Sequence, residues 1–395
     1  MGLPRPKKNV GEALAASQKR NKMKLFDVYP LYPIELVKAK GSTVWDKNGQ
    51  EYVDLYGGHA VISIGHSHPT YVARMTEQLN NIGFYSNSIV ISGQEALAEK
   101  LGRLSGYSNY TLFLTNSGAE SNENALKLAS FHTGRKKVIS FTKAFHGRTA
   151  GAVAVTDNPS IVAPINSTEH RTFLPFNQID GLKKITEEHA AVIVEGIQGV
   201  GGIQVASDAF LQALRKRCDE TGAQLILDSV QCGYGRSGKF FSHQFAGIHP
   251  DMMTTAKGMG NGFPMGGVLI APHIQASFGL LGTTFGGNHL ACVAGNVVLD
   301  VIEEENLIQN AEKIGDYLSK SLAGFQNVTE VRGRGLMIGI ELDQPVGPVR
   351  DALLFKEHIF CGYAGKNTLR LLPSLGIDQK IADRFLESLA KVLRG

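Results

Sequence analysis

From Tyr110 to Ala271 the chain alternates short apolar runs with amphipathic stretches. The apolar runs are residues 110–115 (YTLFLT), 137–141 (KVISF), 190–194 (AAVIV), 223–227 (AQLIL), 251–255 (DMMTT) and 267–271 (GVLIA). Each has the length of a strand, and several are apolar at every position. A strand with no polar side is one buried on both faces. Between them, stretches such as 120–131 and 209–220 (AFLQALRKRCDE) carry the apolar period of a surface helix. This alternation predicts an α/β protein with a mostly parallel sheet covered by helices.

Outside that block the pattern changes. Residues 43–55 (TVWDKNGQEYVDL) read as a hairpin around Asn48-Gly49. One long helical pattern covers about 289–325, and alternation returns over Val331–Leu342, around Arg332-Gly333-Arg334-Gly335. A last helix is expected near 379–393. The organisation predicted is a large domain over residues 71–290 and a smaller α+β domain built from both chain ends, 23–70 and 291–395.

Composition narrows the function. With 395 residues the chain has room for two or three folding units, and 43% apolar content supplies a core. No apolar run approaches the ~18 residues of a membrane span. Residues 1–22 hold six basic groups and one acid, so the net charge of +4 sits in that leader and the body is near neutral. That distribution argues against a nucleic-acid-binding surface. The leader has no long apolar segment, which argues against secretion; it is expected to be a disordered extension, with an organelle-targeting peptide as the alternative. Cys218, Cys232, Cys292 and Cys361 are scattered without a C-x-x-C, the usage of a reduced, cytoplasmic protein without a zinc site. His66-Ser67-His68-Pro69 reads as a structural turn and not a metal site. Glycine is abundant, 45 of 395 residues, which points to tight turns and close backbone approaches.

In open parallel sheets ligands bind where strands end at their carboxyl edge. Strand 110–115 runs into Asn116-Ser117-Gly118-Ala119-Glu120, where Ser117 and Glu120 form the pattern of a capping box. The first amides of that helix, at Gly118 and Ala119, are suited to an anion such as a phosphate. Strand 223–227 ends in Asp228, as a helix cap, a metal ligand or the partner of a protonated heterocycle. Strand 251–255 ends at Ala256-Lys257-Gly258, where a lysine between apolar strands and glycine loops is conspicuous. Strand 190–194 ends in Glu195, and 137–141 leads into Phe145-His146-Gly147-Arg148. Amides for a phosphate, an acid, a lysine, an aromatic ring and an arginine together suit pyridoxal 5'-phosphate. Its aldehyde condenses with a lysine, and its ring nitrogen needs a carboxylate beside it to act as an electron sink.

These residues lie in longer motifs: Gly65-His66-Ser67-His68-Pro69, Asn116 to Glu120, Phe145-His146-Gly147-Arg148-Thr149, Asp228 with Val230-Gln231, Lys257-Gly258, and Thr284-Phe285-Gly286-Gly287-Asn288. In this order they resemble the class III pyridoxal-phosphate-dependent aminotransferases, and within them the acetylornithine/succinylornithine group, over about residues 24–393. The resemblance implies a fold-type-I homodimer with active sites at the subunit interface. It implies that Lys257 is the Schiff-base lysine and carries the proton, and that Asp228 partners the pyridine nitrogen. Ser229, Val230 and Gln231 complete that segment, with Gln231 near the ring hydroxyl. Ser117, Gly118 and Ala119 are implied to hold the phosphate, and Phe145 to stack on the ring. Thr284 is implied to reach the cofactor of the other subunit. Thr283, Glu195 and the pair Arg148 and Arg370 are implied to meet the substrate, the two arginines holding carboxylates.

Three departures bear on the substrate. Many relatives read E-P-x-Q-G-E where this chain has Glu195-Gly196-Ile197-Gln198-Gly199-Val200. Val200 thus stands where a second glutamate can pair with the C-terminal arginine, leaving Arg370 for an anionic substrate group. The usual D-E-x-Q is Asp228-Ser229-Val230-Gln231, with both cofactor contacts kept. His59 stands where ornithine aminotransferases carry a tyrosine that recognises a free α-amine, which suits an N-acylated ornithine. The expected activity is transfer of the terminal amine of N-acetylornithine or N-succinylornithine to 2-oxoglutarate in arginine biosynthesis. The alternatives are another class III ω-aminotransferase acting on ornithine or 4-aminobutyrate, a non-catalytic cofactor-binding protein, and a nucleotide-binding α/β protein.

Overall fold

The computed structural model describes residues 25–394, so the extension expected over 1–22 lies outside the described residues. The chain divides into two compact units, residues 1–35 and 36–395. Of the first, the described part, 25–35, carries no helix or strand.

In the second unit the central sheet has seven strands. Their spatial order is Thr111–Thr115, Gly266–Ile270, Met252–Thr255, Gln224–Asp228, His189–Glu195, Lys137–Phe141 and Arg171–Leu174. Gly266–Ile270 is antiparallel to both its neighbours, and every other pairing is parallel. Six of these strands coincide with the apolar runs of the sequence. The seventh, Arg171–Leu174, is at the sheet edge with only Leu174 buried, so it lacks the apolar run that marks the others.

Alternate residues of the central strands pack into two cores on opposite faces. Val192, Val194, Leu225 and Leu227 join one core with Phe210, Leu211 and Leu214 of helix Asp208–Thr221. Ala191, Ile193 and Ile226 join the other with Ala125, Leu128 and Ala129 of helix Gly118–Thr133. Period-two alternation between two covered faces is why these strands are apolar throughout. Burying each such Leu or Ile side chain contributes about 1.5–3 kcal/mol.

Ser207 caps helix Asp208–Thr221 by accepting from Phe210 N at 3.2 Å, and Gly222, at φ 69°, ends it. The helical pattern over 289–325 proves to be two helices, His289–Glu304 and Leu307–Leu322. They are separated at Asn306, whose φ of 52° is the left-handed conformation that asparagine tolerates.

The other described strands form a short two-stranded ribbon, Ile197–Gln198 with Gln204–Val205, and two four-stranded sheets. Leu36–Lys40, Thr43–Asp46 and Glu51–Asp54 form an antiparallel meander, with Asp46 Oδ1 accepting from the amides of Asn48 and Gln50 in the turn. Ile359–Phe360 adds to it in parallel, so segments more than 300 residues apart share one sheet. Val328–Arg334, Met337–Leu342, Thr368–Leu371 and Gly362–Ala364 form the other, antiparallel throughout. His66 and His68, adjacent in the sequence pattern, diverge: His66 Nε2 meets Asp54 Oδ2 at 2.9 Å and His68 Nε2 meets Glu305 Oε1 at 2.9 Å. Among the described residues no group of three side chains is placed to hold a metal ion, and no helix is long and apolar enough to cross a membrane.

Helix Leu307–Leu322 crosses the Arg334–Gly335 corner at Gly315, where an added Cβ would lie 2.1 Å from Gly335 O. Backbone cannot yield as a side-chain tip does. Gly315→Ala is expected to destabilise the fold by about 1–3 kcal/mol in denaturant unfolding, while Gly347→Ala, with open space around the new methyl, should leave stability unchanged or slightly raised.

Candidate active site

The parallel strands deliver their last residues to one edge. Glu195 is in register with Asp228, and Asp228 with Thr254, two strands that carry acids beside a third that leads into Ala256-Lys257. Thr115 lies opposite Gly266 at the same edge and leads into Asn116-Ser117. There the chain encloses a cavity of about 410 Å³, lined among others by Ser117, Gly118, Ala119, Phe145, Arg148, Glu195, Asp228, Val230, Gln231 and Lys257.

Asp228 is 3% exposed and held from three sides. Its Oδ2 accepts from Asn122 Nδ2 and from His146 Nδ1, each at 2.7 Å, and its Oδ1 accepts from Val230 N at 3.0 Å. His146 therefore carries its proton on Nδ1. Asn122 in turn accepts from Thr254 Oγ1 at 2.6 Å, so the first turns of helix Gly118–Thr133 are tied to the strand end. The sequence did not single out Asn122, and it placed His146 in a motif without giving it a role. The available signals were the position of Asn122 one turn into that helix and the adjacency of His146 to Phe145.

Lys257 follows its strand with φ 41°, a left-handed conformation that costs a non-glycine residue about 1–3 kcal/mol. The loop beyond it is pinned by Ser63, whose Oγ donates to Gly258 O at 2.7 Å, and by Asn261 Oδ1, which accepts from Ser63 N at 2.9 Å. Burial lowers the Lys257 pKa, the Arg370 charge lowers it further, and Asp228 and Glu195 work in the opposite sense. The net shift is downward from an ordinary lysine, the direction a nucleophilic amine needs. Burial pushes Glu195 up to about 7, with His146 opposing and Asp228 adding to the rise. Its two oxygens accept from Phe145 N at 3.0 Å and Gly199 N at 3.2 Å.

Ser117 Oγ accepts from Glu120 N at 3.2 Å, as the capping pattern predicts. Glu120 reaches back one residue further than a capping box requires, to Asn116 N at 2.8 Å. At Gly118 a Cβ would lie 2.5 Å from Val230 Cγ1, and at Gly147 one would lie 2.6 Å from Ala119 Cβ. Only bare backbone lets these segments close around the helix N-terminus.

Several expected site residues lie outside this lining. Ser229 is buried, with its hydroxyl unpartnered, and does not line the cavity. Thr283 accepts from Asn116 Nδ2 at 3.1 Å beside the cavity, and Thr284 is exposed. Arg370, 7% exposed, donates from Nη1 to Gly199 O at 2.9 Å and from Nη2 to Tyr56 Oη at 3.0 Å, and its Nε has no partner. No described carboxylate hydrogen-bonds to its guanidinium. Tyr56 is a neighbour that the sequence did not single out.

The Glu195 shift has a consequence for stability. The folded chain keeps this proton up to about pH 7, whereas an ordinary glutamate near 4.5 has released it. Between those values the folded state binds more protons, so stability falls as pH rises. Cofactor-free protein is expected to lose thermal stability from about pH 5 to about pH 7, and Glu195→Gln should flatten that slope.

Residues 27–393 match the family described as aminotransferase class-III. Similar curated proteins include the acetylornithine aminotransferases of Corynebacterium efficiens, 40% identical over 93% of this chain and 94% of that one, and of Bacillus subtilis, 39% identical over 93% and 96%. Similar solved structures include ornithine aminotransferase from Toxoplasma gondii, with a TM-score of 0.86, 26% identity and coverage of 98% and 97%. An omega-transaminase from Thermomicrobium roseum has a TM-score of 0.86, 27% identity and 99% coverage of both chains. The residues present fit pyridoxal phosphate. Ser117, Gly118 and Ala119 at a helix N-terminus line one cavity with Lys257, Asp228 and Phe145, and the Gln231 amide oxygen is buried without a partner among the described residues. By sequence and by fold alike, the chain belongs to the class III aminotransferases, transaminases that work with pyridoxal phosphate.

Proposed function

We propose that this transaminase moves the terminal amine of an N-acylornithine, acetyl or succinyl, to 2-oxoglutarate, giving an N-acylglutamate semialdehyde and glutamate in cytoplasmic arginine biosynthesis. The names of the curated relatives support the substrate. The observation that carries the reading is Arg370, a buried guanidinium bonded to a carbonyl and a phenol but to no acid, with Val200 on the adjoining cavity wall. A buried cation to which no described acid is hydrogen-bonded is costly unless an anion arrives with the substrate.

Bound pyridoxal phosphate supplies an aldehyde for the amine and a ring that takes up the electrons of the broken C–H bond. The chain does the rest. The amides of Gly118 and Ala119, with Ser117, would hold the phosphate, and Phe145 would pack on the ring. Asn122 and His146 fix Asp228, which would face the ring nitrogen, and Gln231 would lie beside the ring hydroxyl. Lys257 Nζ, whose pKa burial lowers, takes the proton from the substrate carbon and returns it on the other side of the exchange. Arg148 and Arg370 receive carboxylates in a planar, two-pronged geometry.

The working unit in this reading is a homodimer. Thr284 is exposed, outside its own chain's cavity, as a residue serving a partner's phosphate would be. Near it Phe84 and Phe285, with ring centroids 5.3 Å apart, are both largely exposed, which supports a covered apolar face in the dimer. The division into a 71–290 domain and a second domain from both ends is supported by the sheets, since every strand of the central one falls between Thr111 and Ile270.

Steady-state kinetics with N-acetylornithine, N-succinylornithine, ornithine and 4-aminobutyrate test the substrate. An acylated donor is expected to give the highest kcat/KM, in a ping-pong pattern; preference for an unacylated amine would replace this reading. Lys257→Ala should lower turnover by at least about 10²–10⁴-fold while the protein stays folded.

A further inference from the structure

Residues 57–60 turn the wrong way for L-amino acids. Gly57, Gly58, His59 and Ala60 have φ of 55°, 56°, 69° and 66°, a single left-handed turn closed by Ala60 N donating to Tyr56 O at 2.9 Å. Asp54 holds its entrance, Oδ1 accepting from Tyr56 N at 2.9 Å and Gly57 N at 2.8 Å. Two of the four residues are not glycine, so the surroundings must enforce this backbone.

The turn brings His59 back over Tyr56, with ring centroids 4.8 Å apart and Tyr56 Oη 2.6 Å from His59 Nδ1. The same oxygen receives Arg370 Nη2 at 3.0 Å. Arginine only donates, so Tyr56 accepts from it and has its own proton left for His59 Nδ1. Partial burial, and after it the nearby Lys257 and Arg370, lower the His59 pKa, in the direction of the neutral ring that the Tyr56 contact requires. Room for the phenol ring comes from Gly362, where a Cβ would lie 2.0 Å from Tyr56 Cε2. The His59 carbonyl meanwhile accepts from Gln231 Nε2 at 3.2 Å, so the turn also braces the cavity wall.

We propose that Tyr56 and His59 are positioning residues for Arg370: the left-handed turn sets His59 Nδ1 to accept the Tyr56 hydroxyl hydrogen bond, so that the phenol oxygen faces the guanidinium and holds it ready for a substrate carboxylate. The proposal rests on the reading of Arg370 as the carboxylate receiver, and not on which acyl group the donor carries.

The test uses the holoenzyme with 2-oxoglutarate as acceptor and, as a carboxylate-free donor, 1,4-diaminobutane. Tyr56→Phe and His59→Phe are each expected to raise the KM for 2-oxoglutarate roughly tenfold, about one hydrogen bond to a charged group. Their kcat and their KM for the diamine should stay near wild type. The double variant should be no worse than the more severe single one, as for residues acting through one contact. His59→Gln, which keeps an acceptor, should recover most of the loss. Additive losses, an equal loss with the diamine, or no change in either single variant would overturn the proposal. Arg370→Gln separates the two levels: if it leaves the KM for 2-oxoglutarate unchanged, the reading of Arg370 itself fails. Nitrogen-15 resonances of the wild-type imidazole need no variant. A His59 ring bare at Nδ1 and protonated at Nε2 is expected, and one protonated at Nδ1 would overturn the relay.

Discussion

A carboxylate at the end of a fully buried strand is the constraint on which this molecule depends. Gln224–Asp228 is buried at all five positions, so its last residue is carried to a place from which water is largely excluded. An unpaired charge there would cost several kcal/mol. Three donors from three segments meet it: Asn122 from a helix, His146 from the loop after the strand two places away in the sheet, and Val230 from its own loop. Satisfying one acid thus fixes the helix that presents Gly118 and Ala119, the loop that presents Phe145, and the segment that presents Gln231.

The sheet order then sets the electrostatics. Glu195 and Asp228 share a register on neighbouring strands, and the next strand leads into Lys257. Two buried acids side by side raise the proton affinity of Glu195, while the lysine and Arg370 lie close enough to influence one another. Strand adjacency, a property of topology, has become acid–base chemistry. The strained backbone at Lys257 belongs to the same arrangement, since the residue must leave its strand sharply to enter the cavity.

Much of this was legible in the sequence, for a physical reason. Central strands such as His189–Glu195 are apolar on both sides because two cores flank them, and a charged residue ending such a run stands out. Asp228, Glu195 and Lys257 were visible in that way. Arg171–Leu174 was not, because an edge strand has no need of a continuous apolar run. The partners of Asp228 were hidden because the contacts join positions 106 and 82 residues apart, which local pattern cannot report. The contact between Arg370 and Tyr56, 314 residues apart, was hidden likewise. The turn at 57–60 had no signal beyond its two glycines, since His59 and Ala60 adopt a backbone that their own preferences oppose.

The bare α-carbon of Gly118 against the Val230 side chain carries a lesson about descent. With a methyl at 118 falling 2.5 Å from a valine branch, neither position is at liberty to drift by itself. A bulkier residue at 118 becomes tolerable only once 230 has been trimmed, so the order in which the two sites can change is constrained by their contact.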